Sequence, residues 1–174
     1  SNTNVLLYKA LAKSLNTVPV HIIGDYVGVD NVFSFMHDTL NMTNLVSPSE
    51  NAQFNDAALS PLALGALTEG VTPLEMAAAY QMFSNGGAYH SPTFFASIQY
   101  PNGEVYMEST PTTVQALSSE AAMVMNRLLR NPVADPEGTA AGIGSQIAGM
   151  EVIAKTGTTQ DWKDFTFVGG TPYY

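Results

Sequence analysis

Cysteine is absent from the 174-residue chain, which excludes disulfides and thiolate metal sites. Positive charge is scarce: six lysines and arginines stand against fifteen aspartates and glutamates, for a formal net charge of −9, and no basic cluster forms. That balance argues against nucleic acid as a partner. No apolar run reaches the roughly 20 residues needed to span a membrane. No signal-peptide pattern opens the sequence, which leaves either a cytosolic protein or a targeting segment outside it. His21, His37 and His90 lack an i+3 or i+4 partner suited to a metal, so structural or solvated roles are expected and neither metal nor cofactor is called for. The carboxylates are scattered, against a glycosidase-type acid/base pair, and there is no glycine-rich phosphate loop. What remains is a chain long enough for one domain with a real core, 45% of it apolar.

The stretch 152–159, Val-Ile-Ala-Lys-Thr-Gly-Thr-Thr, organises the reading of the rest. Val152, Ile153 and Ala154 suit a buried strand that carries Lys155 to the rim of a cavity. With a period of two, Thr156 and Thr158 share a face, so their hydroxyls could hold a carboxylate together while Gly157 permits close approach. A Lys-Thr-Gly triplet alone also fits an ordinary strand running into a turn.

Along the chain, Asn4 is expected to cap a helix with Leu7, Leu11 and Leu15 on one buried stripe. Ser14 and Asn16 fall where Pro19 should end it; both could simply satisfy backbone groups there. Asp30 is a candidate cap for a helix bearing Phe33, Met36 and Leu40, and residues 41–58 read as a surface loop. Ser60-Pro61 should start a short helix that Gly65 limits. Thr72-Pro73-Leu74-Glu75 has the spacing of a capping box, with Met76, Tyr80 and Phe83 following on a packing face before Gly86-Gly87. Residues 94–106 read as a hairpin turning at Asn102-Gly103. Ser118 or Ser119 should cap a helix through Ala122, Met125 and Leu129. Residues 133–149, rich in Gly and Ala, read as a mobile approach to the Lys155 strand. A polar loop over 160–164 and an antiparallel strand over 165–169 should follow.

Ser14-Leu15-Asn16 and Lys155-Thr156-Gly157 together resemble the second and third motifs of the penicillin-binding proteins and serine β-lactamases, which combine Ser-x-x-Lys, Ser-x-Asn and Lys-Thr-Gly. The wording is most similar to the transpeptidase domain of class A (bifunctional) penicillin-binding proteins. It runs through residues 10–16, 60–65, 71–77, 85–87, 138–140 and 155–159 to Phe167-Val168-Gly169. The residues three before the lysines are Leu6, Ala10, Val152 and Gln160, so no Ser-x-x-Lys is present. The resemblance therefore implies that residues 1–174 are the C-terminal part of one such domain, without its nucleophile.

That resemblance implies a partial α+β transpeptidase fold of the penicillin-binding protein/serine β-lactamase kind, in which a helical lobe bearing Ser14 and Asn16 packs on an incomplete antiparallel sheet bearing Lys155. It assigns Ser14 and Lys155 to proton relay and electrostatic support, and Asn16 to the substrate's amide side chain. The Thr158 N–H becomes an oxyanion donor, and Thr156, Gly157, Thr158 and Thr159 form the substrate-binding strand end. The implied partners are a D-Ala-D-Ala stem peptide of peptidoglycan and the β-lactams that imitate it, at the extracytoplasmic face of a bacterial membrane. A D,D-carboxypeptidase, a β-lactamase or a non-catalytic β-lactam sensor shares the motifs. The sheet edge beyond 165–169 should lack its natural neighbour, which invites pairing between chains. Light scattering at increasing concentration should then show self-association; a monomer throughout would count against it.

Overall fold

The computed structural model describes residues 4–144, 146, 149–159 and 165–171. The expected polar loop at 160–164 lies outside them. The chain is α+β, with its helices concentrated in the first half and the Lys155 strand near the end.

Helix α1 spans Leu7–Ala12, and its flanking residue is Leu6, without a side-chain cap; the expected cap at Asn4 is not used. Its buried residues are Ala10 and Ala12, whereas Leu7 and Leu15 are 49% and 37% exposed. The leucine stripe is thus turned away from the core, because the small alanines let α1 lie close against its neighbours. The break after α1 is made by Ser14, in the left-handed region at φ 55°, and not by Pro19. That proline sits in the first turn of α2 (Thr17–Ile22), where its missing N–H is not needed.

A π-type turn, Ile23–Val27, leads to α3 (Val29–Ser34), which begins after Gly28 at φ 88°. Asp30 lies in the first turn of α3 rather than capping it; a carboxylate there still favours the helix dipole. Helix α4 spans Leu59–Leu64 after Ala58, so Ser60-Pro61 lies two residues deeper than expected, and Gly65 ends the helix in the left-handed region at φ 73°. Residues 41–58 are more than surface: Met42, Leu45 and Asp56 are buried. The Asp56 carboxylate accepts the Val46 N–H (2.8 Å), the Thr68 N–H (2.7 Å) and the Thr68 hydroxyl (2.8 Å), joining two irregular segments.

Helix α5, Pro73–Tyr80, opens with the expected capping box: the Glu75 N–H donates to Thr72 Oγ1 (3.1 Å) and the Thr72 N–H to Glu75 Oε2 (2.7 Å). Three antiparallel strand pairs follow. Strand β1 (Ala88–His90) pairs with β4 (Thr113–Gln115), and β2 (Ser97–Gln99) with β3 (Val105–Glu108) through a turn holding Gly103 at φ 87°. The β1–β4 pair was not legible from the sequence. Helix α6, Ser119–Leu129, is capped by the Ser118 hydroxyl, which accepts the Ala121 N–H (3.2 Å).

Helices α7 (Asn131–Ala134) and α8 (Ala141–Gly144) replace the expected mobile approach over the first part of 133–149, since Val133 and Ala140 pack with Ala154 into a small core. Strand β5 (Ile153–Thr158) pairs with β6 (Phe165–Gly170), setting Lys155 opposite Val168 and Thr156 opposite Phe167. The main core joins Leu40, Met42 and Leu45 to Ala78, Ala79, Met82 and Tyr89. Helices α6 and α7 back β5, α5 backs β6, and α1 packs on α6 and α7.

Asp56→Ala leaves three donors without their acceptor and should cost about 3 kcal/mol or more in urea unfolding. Thr72→Ala, which removes one cap, should cost about 1 kcal/mol. Equal losses would contradict the anchoring role of Asp56.

Candidate active site

The left-handed turn at Ser14 ends α1 abruptly: the Ser14 N–H reaches Leu11 O (3.2 Å) and the Leu15 N–H reaches Ala10 O (3.0 Å). Two residues later Asn16 enters α2 with no side-chain capping bond. The side chains of residues 14 and 16 are therefore not spent on helix ends, the simpler of the two roles open to them in the sequence.

Burial of Ile153 and Ala154 under the α6–α7 side fixes the root of β5 and delivers Lys155 half-buried at the rim. Its ammonium donates to Ser14 Oγ at 2.9 Å and to the Thr156 carbonyl at 2.7 Å. Desolvation by burial holds the Lys155 amine below the ordinary lysine value of 10.5. Among the described residues, no carboxylate lies within ion-pair range of Lys155.

Ser14, Asn16, Lys155, Thr156, Gly157 and Thr158 line one cavity of about 350 Å³. Leu7, Leu11 and Leu15, the stripe expected in the core, form part of its apolar wall. Thr159 is exposed and is not among the lining residues. The Thr156 hydroxyl donates to the hydroxyl of Thr139 at 2.7 Å. Thr139 was not singled out for chemistry in the sequence; its only signal was its place within Gly138-Thr139-Ala140. Gly157 has a structural reason beyond ligand approach, since a Cβ there would collide with Thr166 Oγ1 across the strand pair.

The histidines lie apart. His21 does have an i+4 carboxylate, contrary to expectation, in Asp25 at 2.9 Å, but the pair is exposed. His37 meets Asp38 (2.7 Å) and His90 meets Thr113 (2.8 Å). Among the described residues no three His, Asp or Glu side chains gather as a metal set, and no helix is long and apolar enough to cross a membrane.

A lysine–serine contact beside an Asn and a Thr-Gly-Thr strand end, between helices and an antiparallel strand pair, defines a class, and comparisons of structure agree. The D,D-transpeptidase domain of a peptidoglycan glycosyltransferase from Eggerthella lenta superposes with a TM-score of 0.70 at 24% identity, over 99% of this chain and 46% of that one. Penicillin-binding protein A from M. tuberculosis, as an imipenem acyl-enzyme complex, gives 0.70 at 20% identity over 99% and 40%. At those identities the likeness establishes the fold, that of penicillin-binding transpeptidase domains.

Sequence carries the assignment further. The model of the penicillin binding protein transpeptidase domain matches residues 2–172, and the chain belongs to that family. Penicillin-binding protein 1A of Clostridium botulinum (strain Langeland) is 33% identical over 166 residues, 95% of this chain and 19% of that protein. Penicillin-binding protein 1A of Aquifex aeolicus is 36% identical over 170 residues, 98% of this chain and 21% of that protein. The chain spans about a fifth of the length of these relatives.

The lowered Lys155 value has a consequence for stability. Between that value and 10.5 the folded chain binds fewer protons than the unfolded chain, so this group makes stability rise as pH increases through that window. The difference between the stability curves of wild type and Lys155→Met should show that rise. Parallel curves would mean that Lys155 is not desolvated.

Proposed function

We propose that this chain supplies the Ser-x-Asn and Lys-Thr-Gly side of a serine D,D-transpeptidase site, as the C-terminal part of one transpeptidase domain. The observation that carries this reading is the 2.9 Å contact from Lys155 Nζ to Ser14 Oγ, between residues 141 apart in sequence. Acyl transfer needs a nucleophile, a route for its proton, donors for the oxyanion and a hold on the substrate. A lysine whose amine burial holds below its ordinary value, next to a serine hydroxyl, is suited to pass a proton between an attacking hydroxyl and a departing amine.

In this reading the nucleophile is a Ser-x-x-Lys serine from a preceding segment of a longer protein. Its hydroxyl attacks the D-Ala-D-Ala amide of a peptidoglycan stem peptide, or the ring carbonyl of a β-lactam. Ser14 and Lys155 relay the proton, and Asn16, whose side chain makes no bond among the described residues, holds the substrate's amide side chain. The Thr158 N–H faces the oxyanion. The substrate carboxylate meets the Thr158 hydroxyl first, because the Thr156 hydrogen is engaged with Thr139 until a ligand draws it away. Thr159 extends the strand end beyond the cavity wall. The parent protein works at the extracytoplasmic face of the bacterial membrane, where its acyl acceptor is a neighbouring stem peptide.

Since members of such a site act as a unit, this chain alone should give no covalent band with a fluorescent penicillin. A longer polypeptide that includes the upstream Ser-x-x-Lys should be labelled. In that polypeptide Lys155→Ala should slow acylation by about 10²- to 10⁴-fold. A labelled band on this chain, or undiminished labelling of the Lys155→Ala protein, would overturn the proposal.

A further inference from the structure

The Ser14–Lys155 distance is set by two elements that share no hydrogen-bonded pairing: the end of α1 and the strand β5. One short segment touches both. From Asp135 to Thr139 the chain makes successive ties to α1. The Asp135 carboxylate, nearly buried at 8% side-chain exposure, pairs with Lys9 Nζ at 2.7 Å, and Glu137 pairs with Lys13 Nζ at 2.8 Å. The Thr139 N–H then donates to the carbonyl of Ala12, the last residue of α1, at 3.0 Å. From the same residue the hydroxyl reaches Thr156 on β5.

The segment is itself fixed from below. The Gly138 N–H donates to Asp135 O (2.8 Å) and the Ala140 N–H to Pro132 O (2.9 Å). Gly138 lies so close to the Pro132 carbonyl that a Cβ would collide with it. Ala140 is packed with Val133 and Ala154, the residue before Lys155. A hydrogen bond from Lys9 holds the Asp135 carboxyl below its ordinary range, as expected of a standing ion pair.

We infer that residues 135–139 form a positioning strap, with Asp135 holding α1 and Thr139 joining the carbonyl of Ala12 to the hydroxyl of Thr156, so that Ser14 and Lys155 are kept at bonding distance. Its consequence for acyl transfer rests on the function proposed above; its structural part does not. A hydroxyl both donates and accepts. When a ligand carboxylate takes the Thr156 hydrogen, Thr139 can reverse its role and keep the tie. The strap therefore survives substrate binding, which a tie through a single-role group would not.

The test uses Thr139→Val, which keeps shape and removes the hydroxyl, Thr139→Ser, which restores it, and Asp135→Asn. In this chain, NMR of isotope-labelled lysine follows the Lys155 amine. The valine variant, which loses the tie to β5, and the asparagine variant, which weakens the tie to α1, should both titrate closer to 10.5, because a slackened strap lets water reach the amine, and the serine variant should titrate with wild type. In the longer, penicillin-reactive polypeptide, Thr139→Val should slow acylation about fivefold, the usual worth of one hydrogen bond, with recovery in Thr139→Ser.

A residue serving only global stability would lower the unfolding midpoint and leave both readouts of the folded protein unmoved. That result in Thr139→Val overturns the inference, and Thr139→Val decides alone if Asp135→Asn does not fold. Lys155→Ala in the longer polypeptide separates the two proposals. If it retains activity, the function fails while the titration still judges the strap. If it loses activity while Thr139→Val matches wild type in both readouts, the strap alone fails.

Discussion

An ammonium donated to a hydroxyl across 141 residues of chain is the contact on which the arrangement of this protein depends. Neither partner could sit there by local preference. Ser14 occupies a left-handed backbone conformation that non-glycine residues adopt at a cost, and Lys155 gives up part of its hydration. Both are tolerable because their surroundings are over-determined. Alanines at 10 and 12 let α1 lie close on its neighbours, Ala154 within β5 is fully covered by Val133 and Ala140, and the 135–139 segment ties α1 to β5.

Charge distribution sharpens the same point. No lysine or arginine lies between Lys13 and Arg127, so a long acidic stretch contributes no cation to the fold. Lys9 and Lys13 meet their acids on the strap, and Arg130 meets Glu151 at 2.7 Å. Lys155 instead faces a hydroxyl and a carbonyl, in a cavity where leucines, Val18, Pro19 and Ile22 form the wall beside the polar residues of the site. In such a wall the attraction for a ligand carboxylate is screened less than it would be in open water.

Local chemistry was the legible part of the sequence. The Thr72/Glu75 capping box, the Gly65 helix stop, the Asn102-Gly103 turn and the antiparallel partner of the Lys155 strand each follow from a few adjacent residues, and the structure has them. Ser14 and Lys155 could be paired only through resemblance, because no local rule spans that separation. Expectations failed where tertiary contacts outweighed pattern. The Leu7, Leu11 and Leu15 stripe is amphipathic in the usual way, yet it faces a cavity while small alanines make the close contact. Residues 41–58 have the composition of a surface loop, but Asp56 supplies enough acceptor capacity to bury their backbone. Residues 133–144 lack periodicity because their helices are one turn long, and the role of Thr139 has no sequence signature beyond a Gly before it.

The most direct measurement is a double-mutant cycle on unfolding free energy with Ser14→Ala, Lys155→Met and the double variant. Groups in contact should show a coupling of about 0.5 kcal/mol or more, whereas strictly additive losses would mean that hydroxyl and ammonium do not meet in solution and would contradict the site described above.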